Sequence, residues 1–220
     1  MARVPAVERR ADLVDAAVRV IASRGVDGAT TRRIAEEAKA PLATLHYCFA
    51  SKELLFQEVL HRVAVEYRDV LARSNRHADI ATAAREMLRA MMVWYLESPD
   101  YGAATIELIS WAQRQEGESA VVVYNETFDM MRSILEEGAA GQGLSSETIE
   151  ELTYVIGALA DGFGMNWLTF ADRPVAFKQM ETAVAVLDAW LATKLGNVSS
   201  SLKPSADFVP EASVLTSCPG

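Results

Sequence analysis

Residues 30–52 read TTRRIAEEAKAPLATLHYCFASK, and the way this stretch is divided decides the fold. Thr30 offers a side-chain oxygen to cap a helix. Ile34, Ala35 and Ala38 then fall on one face, while Arg32, Arg33, Glu36 and Glu37 face outward. Lys39-Ala40-Pro41 interrupts that period, because proline disfavours a helical residue before it yet suits the first turn of a new helix. A second short helix is predicted over 42–48, with Leu45 and Phe49 turned inward and Leu42, Ala43, Thr44, His46 and Tyr47 left to the outer surface. Two helices of this size across a tight turn make either a helix-turn-helix, whose second helix fits a DNA major groove, or an ordinary helical hairpin in a core. Spacing alone leaves both open.

Upstream, Leu13, Ala16, Ala17, Val20 and Ile21 give a buried stripe to a helix over 5–23, closed by Gly25, so the quoted stretch completes a three-helix head. Downstream, Ser51 caps a long helix reaching about residue 73, on which Leu54, Leu55, Val59, Val63 and Tyr67 keep the period. Its first-turn amides, with Lys52 beside them, suit a phosphate. Five further helices are predicted over 78–97, 101–115, 119–137, 146–170 and 174–195. Breaks are expected at Ser98-Pro99-Asp100, near Gly117, in the glycine-rich run 138–143 and at Asp172-Arg173-Pro174. Neither a strand-like alternation nor an internal repeat is present, and the expected fold class is all-α.

The chain has 220 residues, half of them apolar, which is enough for a sizeable core. Its net charge of −9 is unevenly spread: residues 1–76 hold 13 Lys+Arg against 10 Asp+Glu, or +3, and residues 77–220 hold 8 against 20, or −12. A mildly basic head on an acidic body suits a protein that presents one face to phosphates and repels them elsewhere. The start, MARVPAVERR, has no apolar signal core, and no run of about 18 apolar residues follows, so neither secretion nor a membrane span is expected and the cytoplasm is. Cys48 and Cys218 form no disulfide or metal pattern. His46, His61 and His77 do not group with carboxylates, and no nucleophile-base or phosphate-loop motif is visible, so no catalytic, metal or cofactor site is expected.

The combination Gly25…Thr30-x-x-x-Ile34-Ala35…Thr44-Leu45-x-Tyr47-x-Phe49-x-x-Lys52-x-x-Leu55 resembles the N-terminal DNA-binding domain of TetR-family transcriptional regulators over about residues 8–60. Members of that family usually carry Gly, Ser and Gly where this chain has Lys39, Pro41 and Ala43, and Tyr and His where it has His46 and Cys48. The resemblance implies a helix-turn-helix DNA-binding domain over 1–50 and a helical effector-binding and dimerisation domain over 51–195. A flexible tail over 196–220 is read from its Ser- and Pro-rich composition. The implied function is that of a repressor on a palindromic operator in double-stranded DNA, acting as a homodimer and answering a small-molecule effector.

On that reading Leu42, Ala43, His46 and Tyr47 face the groove with Thr44 near its wall, and Thr30, Thr31, Arg32, Tyr47 and Lys52 meet the backbone. Cys48, beside them, is either a half-buried packing thiol or a redox switch. In the body, polar residues inside apolar runs point to a ligand: Glu107 in ATIELISW, and Asp161 and Asn166 in ALADGFGMNWL, where Gly162 and Gly164 permit a close approach. With Trp94, Trp111, Tyr124, Phe128 and Met165 they are the expected ligand-binding set, for a hydrophobic or aromatic molecule bearing a polar group. Such aromatic stripes also make ordinary core. The stripes Leu152, Ile156, Leu159 and Phe163, and Val184, Leu187, Trp190 and Leu191, are either core or, as the resemblance implies, a dimer interface formed as a four-helix bundle. The competing classes are a helical protein-interaction module with a vestigial head and a motif-free helical enzyme.

Overall fold

The computed structural model describes residues 6–72, 79–114 and 119–201, and they form nine helices and no strand. The first four are α1 (Ala6–Gly28), α2 (Thr31–Glu37), α3 (Leu42–Cys48) and α4 (Lys52–Ala72). The body adds α5 (Ile80–Glu97), α6 (Pro99–Ala112), α7 (Ser119–Gly138), α8 (Ser146–Phe170) and α9 (Arg173–Ser201). The fold is all-α. No helix among the described residues is long and apolar enough to cross a membrane.

The helix ends follow the capping chemistry of the sequence. Thr30 accepts from the Arg33 amide, Asp79 from the Ala81 and Thr82 amides, and Ser145 from the Thr148 amide. The Thr82 hydroxyl and these amides hold the Asp79 carboxyl below its ordinary value. Gly25 breaks α1 with a left-handed φ of 67°, after which residues up to Gly28 form the turn before α2. Two boundaries differ from expectation. The break expected at Ser98-Pro99-Asp100 falls on Ser98 alone, and Pro99 already occupies the first turn of α6, since its missing N–H is one that a first turn leaves unpaired anyway. Helix α9 runs to Ser201, past the expected start of the tail at 196; residues 202–220 lie outside the described residues.

Two apolar clusters organise the molecule. The first joins α1, α2, α3 and the front half of α4, with Leu13, Ile21, Ile34, Leu45, Phe49 and Phe56 among its buried members, and it includes Ala104, Leu108 and Ala112 of α6. The second joins the rear half of α4 to α5, α7, α8 and α9 around Leu71, Met87, Leu88, Ile134, Ile156 and Leu187. At about 25 cal/mol per Å² of apolar area, each fully buried Leu, Ile or Phe contributes roughly 1.5–3 kcal/mol. Helix α6, packed most extensively on α1, ties the two clusters together.

The stripes expected to pair with a second subunit face inward. Leu152, Ile156, Phe163, Val184, Leu187 and Leu191 are buried within one chain, and Leu159 and Trp190 are half-buried against the same cluster. An amphipathic helix satisfies its own core first, so the strongest period marks that core. What α8 and α9 leave outside is a weakly charged surface with Tyr154, Met165, Phe170, Phe177 and Val186 exposed. Bidentate Arg89–Glu181, Arg85–Asp188 and Lys194–Glu151 ion pairs fasten α9 to α5 and α8.

Candidate functional site

The turn between α2 and α3 is a Schellman cap: the Ala40 amide donates to Ala35 O at 2.9 Å and the Lys39 amide to Glu36 O at 3.0 Å. Lys39 takes the left-handed position, φ 51°, that glycine usually fills. This turn sets the angle at which α3 leaves. At the other end of α3, Arg10 donates to Cys48 O at 2.8 Å, pairs with Glu58 at 2.7 Å and lies 4.2 Å from the Phe49 ring centroid. Cys48 itself is half-buried against the head cluster.

Held at both ends, α3 turns Leu45 into the core and leaves Leu42, Ala43, His46 and Tyr47 exposed, Tyr47 to 85%. Thr31 and Thr44 are half-buried at the margin, and Thr30 and Arg32 are exposed beside them. Lys52 behaves differently from the rest of the expected set. Its ammonium donates to Val26 O at 3.1 Å and lies 4.9 Å from the Phe56 ring centroid, so it fastens α4 to the end of α1.

Two contacts tie the head to α6. The Val26 amide, whose carbonyl Lys52 holds, donates to the Glu107 carboxylate at 3.4 Å. Tyr101 donates to Asp15 of α1 at 2.9 Å, and Arg62 of α4 lies 3.6 Å from the same carboxylate. Burial, then the Asp15 bond, pushes the Tyr101 phenol up to about 12. Burial opposes the charge on Arg62, but Asp15, Tyr101 and Glu66 together more than offset this and hold the guanidinium above its ordinary value.

The body contains a cavity of about 320 Å³. Val63, Ala64 and Tyr67 of α4, Met91 and Tyr95 of α5, Thr127 and Phe128 of α7, and Gly157, Asp161 and Met165 of α8 line it, and α6 closes it with Thr105, Ile106, Ile109, Ser110 and Gln113. Its aromatic wall is deliberately seated. A Cβ on Gly157 would stand 2.8 Å from Phe128, and one on Gly164 would stand 2.5 Å from Tyr95, whose hydroxyl donates to Asp161 at 3.4 Å.

Of the expected ligand-binding set, the cavity gathers Phe128, Asp161 and Met165. Trp94 stands behind the wall, 4.3 Å from Tyr67 and 5.1 Å from Tyr95 between ring centroids. Glu107 and Trp111 are one turn apart on the opposite side of α6, facing the head, where Trp111 meets Phe56 edge-on at 5.3 Å. Asn166 is exposed and donates to Gly162 O. The side chain of Tyr124 lies outside the described residues. The close approach expected at Gly162 and Gly164 occurs at Gly164 alone. Of the lining residues missed, Tyr67, flanked by Glu66 and Arg68, carries no sequence signal for a cavity, whereas the α6 lining residues could have been found from the split period of that helix. Its residues 105, 106, 109, 110 and 113 line the cavity, while 104, 107, 108, 111 and 112 face the head.

Comparison with known proteins bears on the head and on the fold as a whole. The family model described as bacterial regulatory proteins, tetR family, matches residues 13–59. The HTH-type nicotine-responsive transcriptional repressor HdnoR of Paenarthrobacter nicotinovorans is 31% identical over 196 residues, which covers 86% of this chain and 97% of that protein. Among solved structures, a TetR-family member from Streptomyces coelicolor A3 matches with a TM-score of 0.65 at 25% identity, covering 83% of this chain and 97% of its own. The multidrug binding protein EbrR, solved with imidazole, matches with a TM-score of 0.59 at 25% identity, covering 82% and 93%.

Proposed function

The chain belongs to the TetR family of bacterial regulatory proteins, and from that premise we propose that it represses transcription in the cytoplasm and leaves a palindromic operator when a hydrophobic or aromatic small molecule fills the body cavity. The observation that carries this reading is the two-sided helix α6. One side walls the cavity and the other lies in the head cluster and holds Val26, so a ligand that moves α6 also moves the support of α3. The effector must favour one position of α6, since equal affinity for both would shift nothing. HdnoR responds to nicotine and EbrR binds imidazole, which accords with a small organic effector here.

On the operator, Leu42, Ala43, His46 and Tyr47 meet base edges and methyl groups, while Thr30, Thr31, Arg32 and Thr44 hold the phosphates. Lys52 supports that face through Val26. A second copy pairs through the outer sides of α8 and α9, around Tyr154, Met165, Phe170 and Val186, and spaces two heads on one face of the duplex.

Selecting bound duplexes from a random pool with the purified protein tests this. The expected product is a two-fold-symmetric site with half-sites about 34–36 Å apart. Affinity should fall steeply with salt, and cavity ligands should lower it. Enrichment of no common sequence, or of a single isolated half-site, would overturn the reading.

A further inference from the structure

We propose that Arg10 of α1 sets the sequence selectivity of the head without touching DNA: it positions the C-terminal half of α3, and with it His46 and Tyr47, against the base edges. The assignment rests on the head being the operator-reading surface and gives that surface a positioning residue.

Helix α3 cannot fix its own place. It has seven residues, and a helix of that length is marginal without outside support. Pro41, which precedes it, gives no side-chain cap. Leu45 anchors the middle, and the turn from α2 fixes the start. The far end, where the exposed Tyr47 stands, needs a separate hold, because a helix leaves its last carbonyls unpaired.

Arg10 supplies that hold. Its Nη1 donates to Cys48 O at 2.8 Å, and its Nη2 donates to the Glu58 carboxylate of α4 at 2.7 Å. The guanidinium carbon lies 4.2 Å from the Phe49 ring centroid, so one side chain joins α1, α3 and α4. A cation also suits the negative end of α3. The same contacts make Arg10 a poor phosphate ligand, since Glu58 already meets its charge. A half-exposed ion pair adds little to folding, so loss of the clamp should leave the head folded and cost it geometry. Arginine presents two separate donors and a flat face from one rigid plane, whereas lysine keeps the charge on a single nitrogen.

Arg10→Lys tests the assignment, because it keeps the charge that a phosphate would need and loses the fork. The full chain is titrated by fluorescence anisotropy, over a salt series, against random duplexes and the operator selected with the unaltered protein. The variant should bind the operator about tenfold more weakly, the scale of one lost base contact. Random-duplex affinity should move by less than about threefold, and the log–log salt slope should stay within about 0.3. Reselection with the variant should relax the base positions that Tyr47→Ala also relaxes and leave the rest of the half-site as it was. Unchanged operator affinity, or operator and random affinities that fall together, would overturn the assignment. If Arg10→Lys does not fold, Glu58→Ala decides: freeing the guanidinium should lower the operator-to-random ratio by about the same factor, and an unchanged ratio overturns the assignment. An unaltered protein that prefers no operator removes the reading of the head and this one with it. A preference that Arg10→Lys retains in full removes this one alone.

Discussion

Gly164→Ala tests how the cavity wall is built. The added methyl would stand 2.5, 2.6 and 2.8 Å from three atoms of the Tyr95 ring. Carbon atoms rest about 3.5–4.0 Å apart, so the ring would have to retreat by about 1 Å. The ring can give way into the cavity that it lines, and elsewhere it is held. An added Cβ on Gly102 of α6 would also meet the ring, at 2.8 Å, and Trp94 meets it edge-on with the ring centroids 5.1 Å apart. Overpacking of this kind costs about 1–3 kcal/mol, and the upper half of that range applies where backbone confines both sides. Replacing glycine inside a helix returns about 0.8–1.0 kcal/mol of propensity. The net loss should be about 1–2 kcal/mol, read as a lower urea midpoint at a fixed protein concentration. In a Tyr95→Leu background the ring is gone, and the same methyl should be neutral or stabilising by up to about 1 kcal/mol. The cycle should therefore return a coupling of about 1–3 kcal/mol. Additivity within about 0.5 kcal/mol would refute the claim that Gly164 exists to seat Tyr95.

Three further outcomes are expected. Lys39→Gly should raise stability by about 0.5–1 kcal/mol in urea unfolding, because a left-handed φ of 51° strains a side chain and glycine's greater unfolded-state freedom returns only part of the relief. Arg32→Ala removes only an exposed i, i+4 pair with Glu36 at 3.0 Å, so folding should lose about 0.3–0.5 kcal/mol. DNA affinity should drop for all sequences alike, with the log–log salt slope shallower by about 0.9, measured by anisotropy on specific and random duplexes. Tyr101 should ionise near its raised value of about 12 in an ultraviolet titration, and Tyr101→Phe should delete that step. Because the folded value lies above the ordinary 10.0, its contribution to stability is whole below pH 10.0 and is lost as pH rises toward about 12.

The head was legible in the chain because its signals are local. Thr30, Pro41 and Ser51 act on backbone groups within four residues of themselves, and Ile34, Leu45 and Phe49 need only a helical period to face inward. The cavity was less legible, since a buried apolar residue reads alike whether it meets another side chain or an empty space. Asp161 was found because a polar residue in an apolar run is unusual, whereas Glu107, unusual for the same reason, meets the head instead.

Taken alone, the local pattern determined the helices, the caps at Thr30 and Ser51 and the uneven charge, all of which depend on neighbours along the chain, while the family resemblance chose the helix-turn-helix over a plain helical hairpin. The tertiary structure decided which side of α6 faces the cavity and which the head, and that the strongest stripes of α8 and α9 serve their own subunit. It also decided that Lys52 turns inward to Val26. The physical reason is common to all three. Amphipathic period tells a helix which side to bury, but not which partner it will be buried against, and that choice is made only when distant helices compete for the same surface.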